Sequence, residues 1–171
     1  MEMLSDKIRI VSFPDRELQL PKRHLRFYRN YASFVKKSLR KTLFQGFLGW
    51  LLKRENIDRS VIRDVQIKVL PSRRKNGNSL AGKWHGDGEI SVFPKSLKFY
   101  RKLSARHGSD VARAYVKERA RATLIHEILH AKYSSDEARV RRLTERYFSI
   151  YARNPKTEDI ESVVFEILFK Q

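Results

Sequence analysis

The chemistry-bearing segment of this chain is His126-Glu127-Ile128-Leu129-His130. It reads H-E-x-x-H within an apolar-periodic stretch, Ala112 to Tyr133, that contains no Gly or Pro. Helical residues i and i+4 lie one above the other, so both imidazoles can reach one metal ion. Glu127 comes three residues before His130 and shares that side, where a carboxylate can polarise a water molecule. Two imidazoles and a carboxylate base are the minimum set for a zinc hydrolase. On a helical wheel Ala122, Ile125, Ile128 and Leu129 fall away from the His pair, which predicts one buried stripe and a His–Glu face turned to a cleft. A histidine pair used only for packing would sit within the apolar stripe.

Composition narrows the alternatives. The chain has no Cys, which removes disulfides, thiolate-bound zinc and thiol nucleophiles together. A tight metal site must then use His and carboxylates. At 171 residues the chain is expected to form a single domain, 1–171, large enough to bury a core without staples. Met1 to Ile10 carries no apolar signal region, and the longest apolar run, Leu43 to Leu52, is interrupted by Gln45 and too short for a bilayer. The expectation is a cytoplasmic protein with no membrane span.

Charge points to anionic partners. The 37 Lys+Arg stand against 19 Asp+Glu, a formal net charge of +18. Leu18 to Arg54 holds ten Lys/Arg and no acid. Arg73-Arg74-Lys75 and Lys95 to Arg106 are further basic runs. Such a field favours polyanions, chiefly DNA or RNA, although a solvated basic face would read the same way. Lys36, Lys37, Arg40 and Lys41 are the candidate nucleic-acid contacts, four cations within six residues.

The elements that must position these residues follow from periodicity and turn chemistry. Lys7 to Phe13 alternates as a strand that ends at Pro14. Pro21 precedes a long helical pattern, Lys22 to Glu55, with Leu25, Tyr28, Tyr31, Val35, Leu39, Leu43, Phe47 and Leu51 on one stripe. Gly46 and Gly49 mark a bend or close packing point in it. Val65 to Leu70 reads as a strand and the basic Pro71 to Ser79 as a loop. Leu80 to His85 and Glu89 to Phe93 flank Gly86-Asp87-Gly88 as a hairpin. Pro94 opens a helix stopped at Gly108. Ser109 or Asp110 caps the helix of the His pair. Ser134-Ser135 makes a tight turn, and Asp136 to Arg153 is a helix stopped by Asn154-Pro155. Thr157 caps a last helix, Glu158 to Phe169. The order is that of one α+β domain.

The stretch from Leu80 to Tyr133 resembles the SprT-like and minigluzincin branches of the zincin metallopeptidases. The resemblance rests on Ala81-Gly82-Lys83-Trp84, on Ile90-Ser91-Val92, and on Leu124-Ile125-His126-Glu127-Ile128-Leu129-His130-Ala131. It implies a zincin-like fold: a long N-terminal backing helix, a small mostly antiparallel sheet whose edge strand holds the substrate backbone, and the H-E-x-x-H helix followed by an antiparallel helix with the third ligand. It also implies a Zn2+-dependent protease with a protein or peptide substrate, and SprT-like relatives often act on DNA-bound proteins. Those enzymes commonly use a His as third ligand, but no His follows His130 here. Either the third ligand is a carboxylate, Glu137, Glu145 or Asp136, or the site is incomplete. A two-residue turn sets the next helix antiparallel with its first turns level with His130, which favours Glu137; Glu145 lies about 12 Å further along the axis. Glu137 also suits a capping box with Ser134. Tyr133 and Tyr147 are candidate oxyanion donors, with packing as their other use. His24, His85 and His107 lack ligand spacing. The competing reading is a basic nucleic-acid-binding protein in which a zincin fold has little or no hydrolase activity.

Overall fold

Strand β1 (Ile10–Ser12) leads into helices α1 (Lys22–Arg40) and α2 (Thr42–Glu55), and a 3₁₀ turn at Arg59–Val61 precedes β2 (Asp64–Ile67). Then come β3 (Ser72–Arg73), β4 (Ser79–Leu80), β5 (Gly82–Trp84) and β6 (Glu89–Val92). Helices α3 (Leu97–His107), α4 (Ser109–Tyr133), α5 (Glu137–Ala152) and α6 (Ile160–Phe169) complete the order. The structure, a computed structural model, describes residues 7–12, 20–153 and 160–170. The stops expected at Pro14 and Asn154-Pro155, and the cap expected at Thr157, lie outside the described residues. Among the described residues no helix is long and apolar enough to cross a membrane.

The architecture is α+β. One four-stranded sheet has the order β1-β2-β6-β5. The β5/β6 hairpin is antiparallel as expected, and a second antiparallel hairpin, β3/β4, stands apart from this sheet. The rest of the four-stranded sheet is not antiparallel, because β1 pairs parallel with β2 and β2 parallel with β6. A parallel partner needs a long crossover, and α1 and α2 supply it between β1 and β2. Val65, Ile67, Ile90 and Val92 turn their side chains into the core shared with α1 and α4. β5 is left at the edge, against α4.

The single long helix expected from Lys22 to Glu55 is broken. Lys41 is extended (ψ 134°), and α2 restarts at Thr42. The cause is Gln45, which is buried: its amide donates to the Leu39 carbonyl freed by the break and accepts from the Ile8 N–H. The break shifts the apolar phase by one residue. Tyr28, Tyr31, Val35 and Leu39 are buried as expected, but Phe44, Leu48, Leu51 and Leu52 continue the core while Leu43 stands 61% exposed. Gly46 and Gly49 have open space around them and are not the bend.

Three local expectations are also corrected. Pro71 to Ser79 is not wholly loop, since β3 and β4 pair across a turn at Asn76-Gly77. Ser96 rather than Pro94 starts α3, its hydroxyl accepting from the Phe99 N–H. Neither Ser109 nor Asp110 caps α4, whose first turn follows Gly108 (φ 91°) directly. The single apolar stripe expected on α4 is wider than one face. Glu118, Arg119, Arg121, Thr123 and Glu127 are buried along with Leu124, Ile125, Ile128 and Leu129. α4 packs against α1, α3, α5, α6 and the β5–β6 hairpin, so it is the central helix of the molecule.

Candidate metal centre

α4 and α5 run back from a tight turn at Ser134-Ser135, where Ser134 has φ 49°. Asp136 caps α5 by accepting from the Arg139 N–H at 3.2 Å, so the alternative capping box between Ser134 and Glu137 does not form. Glu137 is freed to face α4. Its carboxylate oxygens stand 3.3 Å from His126 Nε2 and 3.1 Å from His130 Nε2, and the two imidazole nitrogens are 3.1 Å apart. A tetrahedral ion with ligand bonds of 2.0–2.1 Å has ligand–ligand edges of about 3.3–3.4 Å. Among the described residues His126, His130 and Glu137 form the group that could hold a metal ion.

The second nitrogen of each ring decides whether this group wants a cation. His130 Nδ1–H donates to the Ser134 carbonyl at 2.5 Å. Thr144 Oγ1 gives its own proton to the Val140 carbonyl and accepts from His126 Nδ1–H at 3.3 Å. Both rings therefore carry their proton on Nδ1 and direct an Nε2 lone pair at the other ring and at Glu137. Two lone pairs and a carboxylate converging on one point repel each other unless a cation lies between them, and outward-pinned Nδ1 atoms are the usual support of metal-binding imidazoles. Burial brings His126 down to about 4, with Glu137 opposing and His130 adding to the fall, so the ring is neutral, the ligand form, at pH 7. Burial raises Glu137, but the Arg141 hydrogen bond and the two imidazoles outweigh it and hold the carboxyl below its ordinary value. The donor set fits a divalent ion.

Glu127 turns from the same helix towards β5. It is 7% exposed, and burial pushes its carboxyl up to about 7, against the pull of His130 and of a hydrogen bond from the Trp84 N–H. Phe93 N–H donates to Ala81 and His85 N–H to Glu89, so the alternating antiparallel pattern leaves the backbone groups of Gly82 and Trp84 facing the cleft. A Cβ on Gly82 would lie 2.5 Å from Thr123 Cγ2 and 2.9 Å from Glu127 Cγ. Glycine here is the condition for bringing the edge strand against the carboxylate. A cleft of about 440 Å³ opens over the group, walled by Trp84 and Lys83 on one side and by Ser134, Ser135 and Glu137 on the other. Arg74, from the β3–β4 hairpin, overhangs it.

The other candidates are placed elsewhere. Asp136 is spent as a cap, and Glu145 is exposed outside the ligand group. Tyr133 and Tyr147 do not face the cleft as oxyanion donors; both hydroxyls donate to the buried Glu55 carboxylate. His85 meets Ser91 Oγ at 2.8 Å. Of the four basic candidates Lys37, Arg40 and Lys41 are exposed and Lys36 is half-buried, and Arg40 is engaged with the Ile10 carbonyl at 2.8 Å. Sequence reasoning missed Thr144, although its place seven residues after Glu137 puts it on the same helical face. It also missed Arg74 as a neighbour of the site, which depends on how a distant hairpin folds over α4. No family model, no curated protein and no solved structure matches this protein.

Proposed function

We propose that the protein is a zinc-dependent metallopeptidase whose ion is held by His126, His130 and Glu137, with Glu127 as general base and acid. The observation that carries this reading is the convergence of two Nε2 lone pairs and a carboxylate at 3.1–3.3 Å, with both Nδ1 atoms pinned outward. Two neutral imidazoles and one carboxylate are a donor set suited to zinc, which when bound would polarise a substrate carbonyl and acidify water. Glu127 lines the same cleft with a carboxyl brought to about 7, where it can take a proton and return it to a leaving amine. A cation held by the three ligands would draw that value down and favour the base form. The cleft-facing backbone of Gly82 and Trp84 offers an extended peptide a ladder partner. Lys83 and Trp84 wall the cleft above it.

The test combines metal analysis with hydrolysis. Purified protein should carry about one zinc per molecule, lost in His130→Ala and Glu137→Ala and kept in Glu127→Gln. Glu127→Gln should cleave casein at least about a hundredfold more slowly than wild type. Stoichiometric zinc in His130→Ala, or undiminished cleavage by Glu127→Gln, would overturn the assignment.

A further inference from the structure

The cleft does not stop at the metal centre. A second lobe of about 680 Å³ shares Arg74, Gly82, His126, Glu127 and Glu137 with the first and extends towards the N-terminal half of α4. We propose that this lobe is a carboxylate-binding subsite, formed by Arg119 and Lys95, that selects an acidic side chain or the C-terminus of a peptide about three residues from the scissile bond. The proposal rests on the peptidase reading and names its substrate class.

Arg119 is 5% exposed and lines the lobe. Its Nη1 donates to the Phe93 carbonyl at 2.6 Å, and its Nη2 is buried with no acceptor. Lys95 lines the same lobe, its ammonium 4.5 Å from the Phe99 ring centroid. Burial lowers the Lys95 pKa, and the neighbouring Arg119 charge lowers it further. Among the described residues neither cation has an acidic partner. A buried guanidinium and a half-buried ammonium without an anion are poorly satisfied, and a carboxylate between them would supply charge and acceptors together. Arg74, Arg141 and Arg142 line the lobe as well, and Glu145 joins Glu127 and Glu137 as its acids. The Tyr31 hydroxyl also lies against Arg119. Behind it is a void of about 10 Å³, which has room for about one water and not for a carboxylate.

Spacing gives the register. Arg119 precedes His126 by seven residues on one helix. That is about 10 Å along the axis, or about three residues of extended peptide.

Three labelled ten-residue peptides test the proposal: a neutral one with an amidated C-terminus, the same with one Gln replaced by Glu, and the neutral one with a free C-terminus. Binding is measured by fluorescence anisotropy on metal-free protein, and cleavage on zinc-loaded protein by mass spectrometry. The Glu peptide, the free-carboxylate peptide or both should bind about tenfold more tightly than the neutral amide, and which of them does names the source of the carboxylate. Lys95→Gln and Arg119→Gln should each erase that preference, whereas Lys53→Gln, outside the cleft, should keep it. Lys95 is partly exposed, so its variant keeps the test alive if Arg119→Gln fails to fold. Equal binding of all three peptides, or a preference that survives Lys95→Gln, overturns the subsite. Cleavage without carboxylate preference overturns the subsite and leaves the peptidase. Preferential binding without cleavage of any peptide overturns the peptidase and leaves the subsite.

Discussion

Thr144 and the Ser134 carbonyl determine which nitrogen of each imidazole is free, although neither stands among the three candidate ligands. Thr144→Val keeps the shape and removes the acceptor of His126 Nδ1–H. Zinc affinity, measured by chelator competition, should fall about 10–100-fold while the fold is retained. An unchanged affinity would mean that the His126 tautomer is fixed by something else. Gly82 makes a second prediction at this scale. Its missing side chain admits Thr123 and Glu127, so Gly82→Ala must move either the edge strand or the carboxylate. Overpacking of this kind costs about 1–3 kcal/mol. We expect a lower midpoint in urea and a fall in turnover larger than the loss of stability explains. Of this site the sequence showed what is local. The His pair and Glu127 follow from helical spacing, and the two-residue turn already favoured Glu137 over Glu145. Lys95 was legible only as part of a basic run and Arg119 not at all, because what makes them unusual is the burial that other segments impose.

At the scale of elements, Glu55 joins three helices. It lies near the end of α2 and accepts from Lys132 and Tyr133 of α4 and from Tyr147 of α5. Burial alone would raise its pKa, but the hydrogen bonds from Tyr133, Tyr147 and Lys132 outweigh burial and hold it below the ordinary glutamate value. A carboxyl with a depressed folded-state value contributes stability that is present above its ordinary value and lost as pH falls through the folded one. The melting temperature of the wild type should therefore drop below about pH 4.5 more steeply than that of Glu55→Gln. Glu55→Ala, which strands a lysine and two tyrosines, should cost about 3 kcal/mol in chemical denaturation. Helix α1 makes a different prediction. Its basic surface should bind nucleic acid weakly, without sequence preference and steeply with salt. Because Arg40 is tied to the Ile10 carbonyl, the informative variant is Lys36, Lys37 and Lys41 all changed to Glu with Arg40 kept. Unaltered DNA and RNA binding in that variant would remove α1 from consideration. The break between α1 and α2 was illegible for a physical reason. Periodicity reads only near neighbours, whereas the break is held by Gln45 reaching the Ile8 N–H 37 residues away.

At the scale of the whole molecule, the candidate metal centre lies on the surface of the core and not within it. α4 and α5 are joined beneath the ligands by apolar packing that includes Val140, Phe148 and Leu129. Removing the ion should leave the far-ultraviolet spectrum of a folded protein. At free zinc one hundredfold above Kd, binding contributes about 2.7 kcal/mol, so chelation should lower the melting temperature by about 5–10 °C. Collapse to an unfolded state on chelation would mean that the ligands hold α4 and α5 together. The parallel pairing of β1 with β2 and β2 with β6 was equally beyond sequence reading. Alternation marks a strand and its buried face, but partner and direction depend on crossovers that only the assembled helices specify.

The three-residue edge strand has a consequence for what such an enzyme could cut. β5 presents outward backbone groups at Gly82 and Trp84 alone, with Glu127 already engaging one of them. A guest segment must arrive fully extended, with its amides free of its own helices and sheets. Native globular proteins meet that condition only where they transiently open, so their stability, more than their side chains, would set how fast they are consumed. Across a series of progressively destabilised variants of one small substrate domain, cleavage should follow the opening equilibrium read by amide hydrogen exchange. A rate indifferent to substrate stability would mean that guests dock somewhere other than this short edge.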